Sequence, residues 1–294
     1  MTGSMDIQIL SDLHLESPKA YDFYQIKPTA SHLALLGDIG CVCDSGYVTF
    51  LTSQLKQFRI VFHVLGNHEP YGSSWDSAVE KLRAFQEDNR RQRAADLGLG
   101  EYVLLDRDEY HLPEYGVTVL GCTLFSHVPE ASLQDISLGL NDFFRIDSWT
   151  VEQHVSAHKR ELAWLNSRVS ALSQDHPDRN IIIFTHHSPT VDTRTINPRT
   201  AGNKISSGFA TDLRGEECWA AERVVLWAYG HTHYNFPRWR DEETGTVVYS
   251  NQRGYYFAQA PGFDGKGVVK IGRDGVVAEE RVDEPAPEPK SEQP

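Results

Sequence analysis

Leu35 to Gly46 reads "LLGDIGCVCDSG": an apolar run broken at Gly37–Asp38, then two cysteines spaced C-x-C, then a second aspartate, Asp44. Two chemistries compete for this stretch. Cys41 and Cys43 could hold a soft metal ion as thiolates, or Asp38 could be an oxygen ligand at the end of a buried strand. The choice depends on how the other strands end. "IQIL" runs into "SDLH", "IVFHVL" into "GNHE", "IIIF" into "THH" and "VVLWAY" into "GHTH". Continuous apolar runs of this length suit strands buried on both faces. Further runs, "EYVLL", "VTVLGCTLF", "TVVYS" and "GVVKI", are expected to supply a second sheet. Between them lie two helical patterns, Ser73 to Gly98 and Asp147 to Leu172. The first is closed by Gly98, and the second carries Val155, Leu162, Leu165 and Val169 on one face. Strands alternating with helices, with polar groups at the strand C-termini, predict an α/β fold whose site lies in those loops.

Composition narrows the function. The chain has 294 residues, 40% hydrophobic and 23% charged, which is ordinary for a soluble globular protein. No apolar run reaches the ~18 residues of a membrane span, and the N-terminus has no secretory pattern, so no membrane association is expected. Met5 is an alternative start, which would make the first four residues an expression remnant. The net charge is -13, part of it from the acidic, proline-rich stretch Glu279 to Pro294. One domain over residues 5–275 and a disordered tail over 276–294 is the simplest division. Outside that stretch the balance stays acidic, which argues against extended nucleic-acid binding. A small phosphorylated substrate is compatible with it, because bound cations reverse a pocket's charge locally. Four cysteines with no CxxC pair and no signal predict reduced thiols in a cytoplasmic setting. No feature points to an oligomeric state.

Each motif alone has an undramatic reading. Asp12 could cap a turn while His14 sits on the surface, and "GNHE" could be an ordinary Asn/His turn. If the segments are extended, Asp12 and His14, and likewise His231 and His233, point the same way and can reach one ion. Asn67 offers a neutral oxygen, and His68 can ligate or transfer a proton. Of "THH", His186 directly follows the strand, leaving His187 for the pocket edge. The remaining histidines, His32, His63, His111, His127, His154, His158 and His176, read as hydrogen-bonded turn residues. Together the five strand ends form a mixed oxygen/nitrogen set that suits manganese, iron or zinc better than a thiolate site. The donors exceed what one ion needs, so two ions bridged by a carboxylate are expected.

In this order, "SDLH", "GD", "GNHE", "H" and "GHTH" resemble the motifs of calcineurin-like metallophosphoesterases, over roughly Asp6 to Ile271. "LNDFFRI" (Leu140 to Ile146), "SSGFATDL" (Ser206 to Leu213) and "SNQRGY" (Ser250 to Tyr255) resemble features of small bacterial and fungal members. The resemblance implies a metallo-dependent phosphatase fold, a four-layer α/β/β/α sandwich with two mixed sheets. It implies two divalent or mixed-valence transition metal ions. Asp12, His14 and His233 would hold one, Asp38 would bridge, and Asn67, His186 and His231 would complete the second. His68 would be the non-ligand histidine that assists the leaving group.

The implied reaction is hydrolysis of a phosphomonoester or phosphodiester by hydroxide generated between the ions. Glu69 could orient His68, support the metal shell, or lie on the surface. Asn141, Asp142, Arg145 and Arg253 are candidates for the substrate wall, with structural ion pairs as the other reading of both arginines. Gln252 stands where the resemblance leads one to expect proline, and the segment "YYFAQAPGF" after it is longer. Two rivals come from other classes. A dinuclear site acting on a non-phosphate metabolite would leave the motifs intact, as they are here, whereas a silent binding scaffold predicts a broken ligand set.

Overall fold

The computed structural model describes residues 3–95 and 98–276. Among these described residues, fourteen strands and six α-helices follow in chain order. The first part of the chain carries β1 (Met5–Leu10), β2 (His32–Leu36), α1 (Ser45–Leu55), β3 (Ile60–Val64), α2 (Trp75–Ala95), β4 (Glu101–Leu104), β5 (Asp108–Leu112) and β6 (Val117–Cys122). Then come α3 (Leu133–Gly139), α4 (Asp142–Arg145), α5 (Val151–Asp175), β7 (Asn180–Thr185), α6 (Glu217–Ala220) and β8 (Val224–Tyr229). Short strands finish the chain: β9 (Trp239–Arg240), β10 (Val247–Ser250), β11 (Gly254–Tyr255), β12 (Ala258–Gln259), β13 (Val268–Gly272) and β14 (Gly275–Val276).

Two mixed six-stranded sheets result, in the orders β14-β13-β1-β2-β3-β4 and β5-β6-β7-β8-β10-β9. Strands β1 to β4 run parallel to one another, as do β6, β7, β8 and β10, and antiparallel strands complete each sheet. The expected grouping of strands is corrected here. "EYVL" extends the first sheet beside β3, and "VVKIG" joins it antiparallel to β1. "IIIF" and "VVLWAY" belong instead to the second sheet, so the motif-bearing strands are divided between both. Pairing between distant segments decides this, and local hydropathy does not encode it.

Three apolar clusters follow from strand alternation. Ile7, Ile9, Ala34 and Phe62 of the first sheet meet Val119, Ile182, Phe184 and Leu226 of the second. The opposite face of the first sheet buries Leu33, Leu35 and Val61 against Tyr47, Phe50 and Leu51 of α1 and Leu82 of α2. The opposite face of the second buries Ile183 and Trp227 against Leu165, Val169 and Leu172 of α5 and Trp219 of α6. Helices therefore flank the paired sheets, as an α/β chain with continuously apolar strands requires. Helix α5 starts with a capping box. Thr150 Oγ1 accepts from Gln153 N, and Gln153 Oε1 accepts from Thr150 N.

Several histidines expected in turns are core residues. His32 and His63 lie in β2 and β3, and His154 and His158 lie on α5, all buried. On α5 they join Glu161 in holding residues 124–126. Glu161 Oε2 accepts from Leu124 N at 2.6 Å, His158 Nδ1 donates to Leu124 O at 2.9 Å, and Ser126 N donates to His154 Nε2 at 3.0 Å. The held segment needs the support, since Leu124 and Phe125 both have positive φ. Burial raises the Glu161 carboxyl to about 7 and lowers His154 to about 3, so His154 is neutral and free to accept. The expected acidic tail lies outside the described residues, except that Val276 is part of β14. Among the described residues no helix is long and apolar enough to cross a membrane.

Candidate metal centre

The strand ends do not deliver their donors by the pleat of extended chain. Asp12, His14, Asp38, His231 and His233 all adopt left-handed backbone, with φ of 53°, 47°, 53°, 69° and 48°. The expected extended geometry is thus corrected. The residues two apart converge because the chain coils at the strand end. Left-handed backbone at a residue with Cβ costs about 1–3 kcal/mol and persists only where its surroundings enforce it. Five such residues around one point mark a functional site rather than a folding need.

The donors from both sheets meet in adjoining groups. His14 Nε2 lies 2.9 Å from His233 Nε2, and His233 Nε2 lies 3.3 Å from Asp12 Oδ1. His186 Nε2 lies 3.4 Å from Asp38 Oδ1 and 3.0 Å from Asn67 Oδ1. Asp12, His14 and His233 form one set able to hold a cation, and Asp38, His186 and His231 another. A third combination, His14, Asp38 and His68, links them through Asp38. His68 is therefore within ligating reach, and its role as a non-ligand rests on the resemblance alone.

The donor set fits cations on its own chemistry. His14 Nδ1 lies 3.1 Å from Glu16 Oε1 and His186 Nδ1 lies 2.8 Å from Leu36 O. The Nδ1 of each ring faces an acceptor outside the site, so a cation there would meet Nε2. His231 Nε2 is buried without a hydrogen-bond partner. Burial alone would raise the Asp38 carboxyl, but His68 and His186 outweigh it and hold it well below the usual carboxylate range. Asp12 is lowered likewise against burial by His233. Both carboxylates are thus available as anions.

Residues around the donors hold them in place. Glu69 is fully buried and neither touches His68 nor lies on the surface. It accepts from the backbone N–H of Gly66 (2.7 Å), Asp38 (2.9 Å) and Ile39 (2.8 Å) and from Tyr47 OH (3.0 Å), tying two strand ends together. Asp142 is buried and accepts from Asn67 Nδ2 at 2.8 Å and Tyr71 OH at 2.6 Å, which turns the Asn67 oxygen toward His186. Gln252 Oε1 accepts from His233 N at 2.5 Å, while its Nε2 donates to Thr232 Oγ1 at 2.8 Å. Gln252 N also donates to Asn235 Oδ1, a bond that proline could not make. Glu16, which the sequence reading did not single out, accepts from both His14 and His68; the His68 Nδ1 contact is 2.8 Å. Its only sequence signal is its place two residues after His14.

These groups open onto a cleft of 260 Å³ lined by Asp38, Asn67, His68, Asn141, Asp142, His231, His233 and Tyr255. Of the expected substrate residues, Asn141 and Asp142 line it, whereas His187, Arg145 and Arg253 do not. His187 is fully buried behind the site, its ring 4.1 Å from that of His231, and burial keeps it neutral. Arg253 is buried, donates to Leu13 O at 2.7 Å and stacks over Tyr24. Arg145 is exposed, with its guanidinium 5.3 Å from the Tyr71 ring centre. Among the described residues, Arg253 is placed by a backbone carbonyl and an aromatic ring and Arg145 by an aromatic ring, and neither forms an ion pair there. Tyr255 was not anticipated. Its ring lies 4.2 Å from that of His14, and its OH lies 3.4 Å from His68 Nε2.

The two cysteines that opened the thiolate alternative stand apart from every donor group. Cys43 donates to Tyr71 O, and burial raises the Cys41 thiol, so Cys41 stays protonated. Asp44 binds Lys19 and Tyr21 instead of the site.

Glycine is required where the two sheets' donors crowd together. A Cβ on Gly66 would lie 2.2 Å from Asp38 Oδ1, 2.5 Å from Asp38 N and 2.7 Å from His186 Cε1. Gly66 is not in the left-handed region, so close approach rather than turn conformation is its reason. Gly37 has both constraints, with φ of +83° and 2.5 Å between an added Cβ and Gly66 N. Gly66→Ala should therefore displace Asp38 and lower stability by about 1–3 kcal/mol, the usual cost of overpacking. Thermal unfolding with metal titration checks this; an unchanged Tm and unchanged metal affinity would show that the crowding is relieved elsewhere.

A family model described as calcineurin-like phosphoesterase matches residues 5–235. An uncharacterised protein of Acanthamoeba polyphaga mimivirus is 24% identical over 272 residues, covering 85% of this chain and 91% of that protein. Among solved structures, a phosphopantetheinyl hydrolase from Mycobacterium tuberculosis superposes with a TM-score of 0.59 at 17% identity, covering 87% of this chain and 91% of the other. At that identity the likeness speaks for the fold.

Proposed function

The chain belongs to the calcineurin-like phosphoesterase family and is a metal-dependent hydrolase, and on that premise we propose that it hydrolyses a small phosphomonoester or phosphodiester at the Asp38-centred site. The observation that carries this reading is that Asp38 groups with His186 and His231 on one side and with His14 on the other, while His14 also groups with Asp12 and His233. Asp12, His14 and His233 would hold one cation, and Asn67, His186 and His231 the other, with Asp38 common to both. Manganese, iron and zinc all suit these oxygen and nitrogen donors. Bound there, two cations would supply a nucleophile at neutral pH and neutralise charge on the phosphoryl oxygens.

The chain's own contribution is positioning and proton supply. Asp142 fixes the Asn67 amide and Glu69 fixes the Asp38 turn, so neither donor reorganises when the substrate arrives. His68 hydrogen-bonds Glu16 through Nδ1, which directs Nε2 into the cleft. Burial disfavours its charged form, but Asp38 and Glu16 prevail and raise it to about 9. With Nε2 turned to the cleft, it would give a proton to the departing alkoxide. The four free cysteines accord with a reducing, cytoplasmic setting.

The test is a panel of phosphomonoesters, diesters and cyclic nucleotides given to the manganese-loaded protein. Cleavage of at least one class, abolished by a chelator and restored by manganese, is expected. A metal-loaded protein inert on all three but active on a non-phosphorylated metabolite would refute the assignment.

A further inference from the structure

A second pocket adjoins the metal cleft and has a different character. It encloses 290 Å³ between residues 188–191 and 195–210 and shares Ile205, Phe209 and Thr232 with the cleft. Phe209 forms the partition, its ring stacked on His231 at 4.7 Å between centroids and 23° between planes. None of its fifteen lining residues is ionisable. A substrate arm bearing further phosphates or a carboxylate would find no cation there to pair with.

The polar side chains in its wall are largely occupied by their own loops. Ser188 Oγ donates to Thr190 O, Thr195 Oγ1 to Asp192 O and Thr200 Oγ1 to Asn197 O. Asn197 Oδ1 accepts from Arg199 N, Asn203 Oδ1 from Ile205 N and Thr232 Oγ1 from Gln252 Nε2. What they leave for a ligand is mainly the carbon surface of Val191, Ile196, Ile205 and Phe209. A sugar or a base would lose water-facing hydrogen bonds here with few replacements.

The mouth shows the same bias. Large hydrophobic side chains exposed among the described residues are Phe257 (89%), Phe23, Leu138, Phe144, Tyr255, Tyr256 and Val191. Tyr255 lines the cleft and Val191 the pocket. Tyr256 and Phe257 form the tip of the β11–β12 hairpin that carries Tyr255. Exposed apolar groups on the cleft wall, the pocket wall and the adjoining hairpin tip mark a binding surface.

We propose that the alcohol side of the scissile ester is an uncharged, mainly apolar group that occupies this pocket. The inference rests on the phosphoesterase reading and adds the substrate class to it. Hydrolysis breaks the P–O bond, the ester oxygen leaves with the apolar alcohol and takes up a proton, and water supplies the oxygen that joins phosphorus. The acidic chain, at -13, is poorly suited to an anionic bilayer, which favours a dispersed ester over a lipid surface.

The test uses the metal-loaded full chain with n-alkyl phosphates from ethyl to octyl and their methyl diesters, a chromogenic phosphoester, glycerol phosphate and a nucleoside monophosphate. The kcat/KM should rise about fourfold per methylene, the ratio equivalent to ~0.8 kcal/mol. Inhibition by the matching n-alkyl phosphonates should tighten in parallel, a readout that requires no turnover. Val191→Asp, at a site exposed enough to tolerate the change, should flatten both trends. Hydrolysis of the chromogenic ester with no dependence on chain length, or preference for the nucleotide, would overturn the pocket assignment and leave the phosphoesterase reading standing. Activity confined to concentrations above the micelle threshold would overturn it in favour of a lipid surface. Failure to cleave any phosphoester would overturn both.

Discussion

Replacing His68 with alanine is expected to lower kcat by about 10²–10⁴-fold, the range of a general acid, while the protein keeps its metal. Metal retention is what the non-ligand role implied by the resemblance requires, and the substitution spares the backbone contact to Asp38. The bond that anchors Asp38 to this residue comes from the His68 backbone N–H, at 2.8 Å from Oδ1, and alanine keeps it. The ring nitrogen Nε2 lies 3.8 Å from Asp38 Oδ2, too far for a hydrogen bond. Glu16 loses one of its two donors but keeps His14. The rate loss should depend on the alcohol released. An alkoxide leaving group needs a proton, whereas nitrophenolate departs without one, so the defect should be large for alkyl esters and small for the nitrophenyl ester. A purely structural role would depress both equally. Loss of metal in the variant would contradict the assignment of His68 as a non-ligand.

Asp38→Asn should be more damaging still. Asparagine matches the shape of aspartate but offers one neutral oxygen in place of two anionic ones. Asp38 Oδ1 faces His186 Nε2, while Oδ2 lies 3.8 Å from both His14 Nε2 and His68 Nε2. A single carboxylate thus faces His186 with one oxygen and His14 with the other, and no other aspartate or glutamate belongs to the group with His186 and His231. Metal content should fall, and kcat should drop at least the about 10²–10³-fold lost when one preorganised electrostatic group is removed. Elemental analysis beside steady-state kinetics checks both. Full metal content with a rate within about tenfold of the parent would remove Asp38 from the bridging position.

The site was legible because its donors directly follow buried strands, and such strands are continuous apolar runs. "LLGD" and "AYGHTH" display both features within a few residues. The conformation of those donors was not legible, since Asp-x-His spacing suits extended and coiled backbone alike, and only the left-handed φ values distinguish them. Sheet membership was hidden for a similar reason. "EYVL" and "VVKIG" look like "VVYS", and their partners lie far away in the chain. The supporting residues were the hardest to place. Glu69 beside a histidine, and His154, His158 and Glu161 spaced along α5, look like solvated polar positions, yet all are buried because backbone groups of distant turns require them. Arg253 misled in the opposite direction: its charge suggested phosphate, but a backbone carbonyl and a tyrosine ring account for it.

The account stands most directly on whether two ions share Asp38 and whether activity follows that pair. Manganese titration of the purified chain, followed by electron paramagnetic resonance alongside phosphoester hydrolysis, answers this. The expected result is saturation at about two ions per chain, an exchange-coupled dinuclear signal, and activity that grows with that signal. Saturation at a single uncoupled ion with full activity, or a coupled pair that cleaves no phosphoester, would contradict it.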